Sequence, residues 1–275
     1  MIKHIISLLL ILQFLILNAQ YLPYADSNWV LIPEKSDEFE GEIIDSTKWG
    51  HQLWFSCSRE LAFTSNNVIV ENGFAIIQIK DQTIEMDKSL GQCDRGIYYK
   101  TSGAIISNFE VEGESYIEWR VKLVDYRADL TSAIWISDEP VPHKNPNLEI
   151  DVLETLNARS KPKWFSSAMH IWHHFAKYSP ENRHQKLDGK KYKLKKKHSE
   201  DFIVLGLERR GDWVRMYVDG KLFWERNMLD YPDFLDQARR IIVNVEGHDG
   251  RPKKGDYKKE LLIDYIRTYT YTGTP

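Results

Sequence analysis

Beyond its first twenty positions the 275-residue chain has no apolar run long enough to cross a bilayer. It also lacks a Pro/Gly/Ser-rich linker, an internal repeat and a marked charge of either sign, with 37 basic side chains against 40 acidic ones. These absences exclude a later membrane span, a string of small domains and the global basic field that nucleic acid would call for. Cysteine is scarce, at Cys57 and Cys93 only.

What is present begins with "MIKHIISLLLILQFLILNAQ". A basic Lys3, an apolar core from Ile5 to Leu17 and a small residue at Ala19 form the pattern of a secretory signal. The expectation is a signal over 1–20 and one domain over 21–275, secreted or periplasmic and monomeric. Export permits a disulfide between Cys57 and Cys93, and the residues leave that bridge and two buried thiols equally open. Nine Trp and 14 Tyr are many, and aromatic faces suit the apolar C–H faces of sugar rings as well as they suit cores.

Short runs of alternating apolar and polar residues recur along the chain. "NVIVENGFAIIQIK" (67–80) reads as strand, Asn-Gly turn and strand. Further strands fall at 102–124 with a break at Gly113, and at 131–138, 148–156, 164–174, 201–226, 239–250 and 260–271, with a short helix within 229–238. A dozen strands with almost no helical periodicity predict an all-β sandwich of two antiparallel sheets. The basic run "RHQKLDGKKYKLKKKH" (183–198) fits first a solvated loop or a Lys-protected edge strand, with an anion site for a sulfated or acidic polymer as the alternative.

The chemistry concentrates in "PNLEIDVLETLN" (146–157). Glu149 and Asp151 share a face of a regular strand, and Glu154 falls on the other. One bulged residue between Asp151 and Glu154 would bring all three together. Three carboxyls on one concave face repel one another, so one stays protonated near neutral pH beside one that ionises. That is the pairing a retaining glycosidase needs, with a nucleophile and an acid roughly 5 Å apart. The run has neither the calcium loop of an EF-hand nor His at zinc-ligand spacing.

"EIDVLE" resembles the bulged Glu-x-Asp-x-x-Glu signature of glycoside hydrolase family 16, the endo-acting jelly-roll enzymes. "SDEFEGEIIDSTKWG" (36–50), "TSGAIIS" (101–107), "SAIWI" (132–136), "MHIWHH" (169–174), "VRMYVDGKLFWE" (214–225) and "LLIDYIRTYT" (261–270) resemble other family segments in the expected order. The resemblance implies a β-jelly roll with a carbohydrate cleft on its concave face. It makes Glu149 the nucleophile, Asp151 its helper and Glu154 the acid/base, and it implies no required cofactor, although some members carry a structural calcium. Trp135 becomes a sugar platform and His170 a partner of the acids or a structural strand residue, while Trp54, Trp172 and Arg159 become subsite contacts. Leu148, where glucan-cleaving members usually have Gly, and the stretch "EGHDGRPKKGDYKKE" (246–260) lean the substrate towards a galactan, with Arg159, Lys161, Lys163 and Arg251 as sulfate partners. An endo-β-1,3- or mixed-linkage glucanase, a transglycosylase and a non-catalytic sugar-binding jelly roll are the alternatives.

Overall fold

Asn72 and Gly73 take φ values of 54° and 75°. A two-residue hairpin turn requires this left-handed pair, and Glu71 and Phe74 close on it directly opposite each other. Asp219 and Gly220 repeat the device at 48° and 70°, with Val218 opposite Lys221. Both hairpins belong to the same sheet.

The computed structural model describes residues 27–89, 92–141, 146–174, 183–248, 253 and 259–273. The expected signal and Arg251 lie outside these residues. Fifteen strands build the two large sheets among the described residues. In chain order they are β1 (Trp29–Leu31), β2 (Trp49–Gly50), β3 (Val68–Glu71), β4 (Phe74–Gln78), β5 (Ala104–Ser107), β6 (Ser115–Lys122), β7 (Thr131–Ser137), β8 (Asn147–Glu154), β9 (Trp164–Trp172), β10 (His184–Lys193), β11 (Ile203–Arg210), β12 (Trp213–Val218), β13 (Lys221–Asn227), β14 (Arg240–Glu246) and β15 (Glu260–Tyr271). One sheet runs β13-β12-β11-β6-β15-β4-β3, with β1 also on β15, and the other runs β10-β9-β8-β7-β14-β5-β2. Every pairing within them is antiparallel, and sequence-distant strands lie side by side as in a jelly roll.

Alternation assigns the faces. Ile117, Trp119 and Val121 of β6 meet Ile134 and Ile136 of β7 and Ile241, Val243 and Val245 of β14 in the core between the sheets. Each fully buried side chain of this size contributes about 1.5–3 kcal/mol. The break before β6 falls at Gly113 because a Cβ there would meet the carbonyl oxygen of Leu235 at 2.7 Å. Leu235 belongs to α1 (Asp233–Asp236), the short helix that the sequence places within 229–238. Arg239 stops that turn by taking its carbonyls: the buried guanidinium donates to the oxygens of Asp233 (2.9 Å) and Phe234 (3.0 Å), and its Nε donates to Leu148 (3.1 Å) at the head of β8. The basic run proves to be an edge strand, β10, beside β9. No helix among the described residues is long and apolar enough to cross a membrane.

Cys57 and Cys93 are joined in a disulfide, their Cα atoms 5.1 Å apart across 36 residues. The bridge packs with Ala62 and Tyr98 in a small cluster of its own. Closing a loop of that length constrains the unfolded chain by about 4 kcal/mol in the chain-entropy model. A thiol reductant should therefore lower the urea midpoint by an amount equivalent to roughly 3–4 kcal/mol, and a Cys57→Ser/Cys93→Ser double variant should no longer respond to it.

Candidate active site

Two neighbouring apolar side chains, Val152 and Leu153, both enter the core between the sheets. A regular strand cannot send consecutive residues to one face, so β8 bulges. Against β9, Glu149 lies opposite His170, Asp151 opposite Ala168 and Glu154 opposite Ser166. Against β7, Asp151 pairs with Trp135 and Leu153 with Ile134, which leaves Val152 as the extra residue. Glu149, Asp151 and Glu154 consequently line one cleft, of about 350 Å³.

The floor of the cleft comes from Ala133 and Trp135, and its walls from Trp54, Phe55, Ser58, Arg59 and Gln92 on one side and Trp172, His174, Glu246 and His248 elsewhere. Ser58, Arg59 and Gln92 are sequence neighbours of the bridged cysteines, so the disulfide braces that wall. Burial pushes the Glu149 carboxyl well above its usual range, and the charges of Asp151, Glu154 and Glu246 push it further. The buried Trp172 Nε1 counters this by favouring ionised Glu149, although it closes no well-formed hydrogen bond. Asp151 is raised in the same way, by burial first and then by Glu154 and Glu246, with Lys186 opposing. His170 Nε2 stands 3.1 Å from Asp151 Oδ2, and burial, Lys186 and His248 lower its pKa.

The sequence-predicted residues divide. Trp54, Trp135 and Trp172 line the cleft, and His170 reaches Asp151. Trp135 is a buried floor, 6% exposed, with its Nε1 donating to Asn244 Oδ1 at 2.9 Å and with Trp54 and Phe55 packed over it. It is not the open platform expected, and Trp54, packed edge-on against it, is the more exposed ring. Arg159 does not join the site: it lies exposed in the turn 156–160, and the chain has left the cleft sheet by then. Lys161 and Lys163 follow it, and Lys163 Nζ is engaged by the carbonyl of Lys195. Leu148 points into the core, so it does not touch substrate from there. Glu246, whose Oε2 accepts from Ser58 Oγ at 3.2 Å, was missed, as were Asn244 and Arg59. The alternation of "RIIVNVE" signals the first two, because Ile241, Val243 and Val245 take the core and leave Asn244 and Glu246 facing the cleft.

Among the described residues the group close enough to share an ion is Glu149, Asp151 and His170, with ligand atoms within 4.8 Å of one another. Calcium takes six to eight oxygens, and an imidazole nitrogen in a set of three does not fit it.

An all-β jelly roll whose cleft carries a bulged Glu-x-Asp-x-x-Glu strand has the architecture of a glycoside hydrolase. The family model described as "Beta-porphyranase A-D, GH16 domain" matches residues 29–271, and the chain belongs to that branch of glycoside hydrolase family 16. Beta-porphyranase D of Zobellia galactanivorans is 28% identical over 197 residues, which is 67% of this chain and 44% of that protein, so the chain matches less than half the length of this relative. The crystal structure of porphyranase B from Zobellia galactanivorans superposes with a TM-score of 0.73 at 20% identity, covering 89% of this chain and 94% of that one. The endo-beta-1,3-glucanase from Pyrococcus furiosus gives 0.71 at 23%, covering 90% and 96%. At such identities the two structures show a shared fold.

The raised carboxyls have a consequence for stability. A group whose folded pKa lies above its unfolded value supports folding below the unfolded pKa, and that support is lost as pH rises through the folded pKa. Glu149 therefore destabilises the fold increasingly from pH 4.5 upward, starting at its ordinary value. Glu149→Gln should melt higher than the parent at pH 7, by about 1 kcal/mol equivalent, and match it near pH 4. Thermal unfolding across that range checks both ends.

Proposed function

We propose that the chain is an exported, endo-acting, retaining hydrolase of a galactan bearing acidic substituents, such as porphyran. The observation that carries this is the bulge, which turns three carboxyls with different surroundings into one cleft. Glu149, whose burial raises its pKa and whose anion the Trp172 indole partly supports, attacks the anomeric carbon as the carboxylate. Glu154, across the bulge, gives its proton to the leaving oxygen and afterwards takes one from water. Asp151 lies between them in sequence, stands 3.1 Å from His170 Nε2 and takes part in the shared protonation of the cluster. The disulfide and the basic-apolar-small N terminus support export.

The edge strand supports the acidic galactan. Beyond the acids the cleft face continues over small residues, Ser166 and Ala168 of β9 and Gly189 of β10. Lys186, opposite His170, and Lys191, opposite Ser166, flank that strip. Gly189 has room for no side chain, since a Cβ there would meet Ser167 O at 2.6 Å and Lys186 Cε at 2.9 Å. A polymer crossing this strip passes between two ammonium groups, which favours sulfate esters over a neutral glucan. The glucanase reading rests on the fold alone.

Agarose, porphyran, κ-carrageenan, laminarin and lichenan offered in parallel should yield sized oligosaccharides from a galactan, and proton NMR should show the first-formed reducing ends in the β configuration. No oligosaccharide from any polymer would remove the proposal. Glu149→Gln should lower kcat by about 10⁴-fold or more with the fold intact, since it deletes the covalent step. With porphyran, kcat/KM should fall about tenfold as salt rises from roughly 50 to 500 mM, and a Lys186→Gln/Lys191→Gln variant should lose most of that salt dependence.

A further inference from the structure

Asp151 is a buried carboxyl whose exposed side faces a cleft that polymer would fill, yet it must exchange protons. Behind it stands a second imidazole. His170 Nδ1 lies 2.7 Å from His184 Nε2, while His170 Nε2 meets Asp151 at 3.1 Å. The two rings lie 25° from parallel with centroids 4.8 Å apart, so they meet edge to edge through that contact. Trp172 stacks on the His184 face, 4.0 Å between centroids and 22° between planes, and holds the ring in place. His184 is exposed on the outer strand β10.

We propose that His184 is a positioning residue that sets the tautomer of His170 and forms the outer end of a proton path, Asp151–His170–His184, connecting the acid to solvent at the β10 edge of the sheet. The nitrogen-to-nitrogen contact holds one proton, so each neutral ring has a defined tautomer. With Asp151 ionised, His184 Nε2–H donates to His170 Nδ1, and His170 Nε2–H donates to the carboxylate. With Asp151 protonated, its O–H donates to His170 Nε2, His170 Nδ1–H donates to His184 Nε2, and His184 carries its proton on Nδ1. Passing from the second state to the first moves three protons by one bond each and releases one to water from His184 Nδ1, with no net change at His170.

The surrounding charges suit a neutral relay. Lys186 on β10, His248 beyond β14 and the rings themselves disfavour imidazolium, with Glu154 on β8 opposing them, and burial acts in the same direction on both rings. Glu149 lies directly opposite His170 across the strands. The tautomer claim stands on geometry alone, and only its consequence for turnover rests on the hydrolase reading.

Two variants test it. His184→Phe keeps an aromatic face for Trp172 and removes the donor. The ¹⁵N spectrum of the imidazoles should then show His170 changing from the Nε2–H tautomer to a mixture, and the acidic limb of kcat/KM should move up by about half a pH unit or more, because ionised Asp151 loses its ordered donor. His184→Gln restores a donor to His170 Nδ1 but has no second nitrogen to pass a proton on. It should recover the tautomer while its His170 ring proton exchanges with water about tenfold more slowly than in the parent once oligosaccharide fills the cleft of a Glu149→Gln background. A His170 tautomer unchanged by His184→Phe would overturn the proposal whether or not any polymer is cleaved. Parent-like exchange in His184→Gln would overturn the path.

Discussion

The structure depends on where Val152 and Leu153 go. Had β8 kept a regular register from Glu149, Leu153 would stand in the cleft and Glu154 would enter the core. An ionised carboxyl in an apolar core costs several kcal/mol, and a leucine left in water forgoes about 2 kcal/mol of burial. One unpaired residue in the ladder is the smaller loss, so the strand bulges, and the site follows from that choice. The neighbouring strands fit the irregular strand: Trp135 and Ala168 flank Asp151, and Ala133 and Ser166 flank Glu154.

The arrangement is held against its own electrostatics. Glu149, Asp151, Glu154 and Glu246 repel within one cleft, and among the described residues Lys186 offsets the rise at Asp151 only in part. The rest of the fold must supply the restraint. Arg239 ties the head of β8 to the turn at 233–236, and two sheets of buried aliphatic residues hold its core face. The opposite wall is braced by the Cys57–Cys93 bridge. A site of this kind is stable because its surroundings leave the acids no room to separate.

Much of this was legible in the sequence because local rules governed it. Asn72-Gly73 declared a turn, period-two alternation declared strands, and the out-of-register Glu154 in "EIDVLE" declared a bulge. What stayed hidden was set by partners far away in the chain. Trp135 looked like a platform until Trp54 and Phe55, some 80 residues earlier, closed over it. Arg159 stands only five residues after Glu154, but the intervening turn carries it out of the cleft sheet. Leu148 suggested the substrate by its departure from a family position, yet its side chain belongs to the core. The contact of His170 with His184 needed the register of β9 and β10, which no single segment contains.

The strip over Ser166, Ala168 and Gly189 also bears on how a long molecule meets this one. The cleft sheet ends at β10, and beside Glu154 the described residues of that face are small, Ser166, Ala168 and Gly189, as far as the edge strand. A groove that runs off the rim of a sheet has no terminus to recognise. A thread can be laid into it sideways anywhere along its length, without being fed from an end, and both halves can slip away after the cut. On the endo-acting reading proposed above, such an edge suits coarse fragmentation of a gel, where free ends are few and most of the material is interior strand.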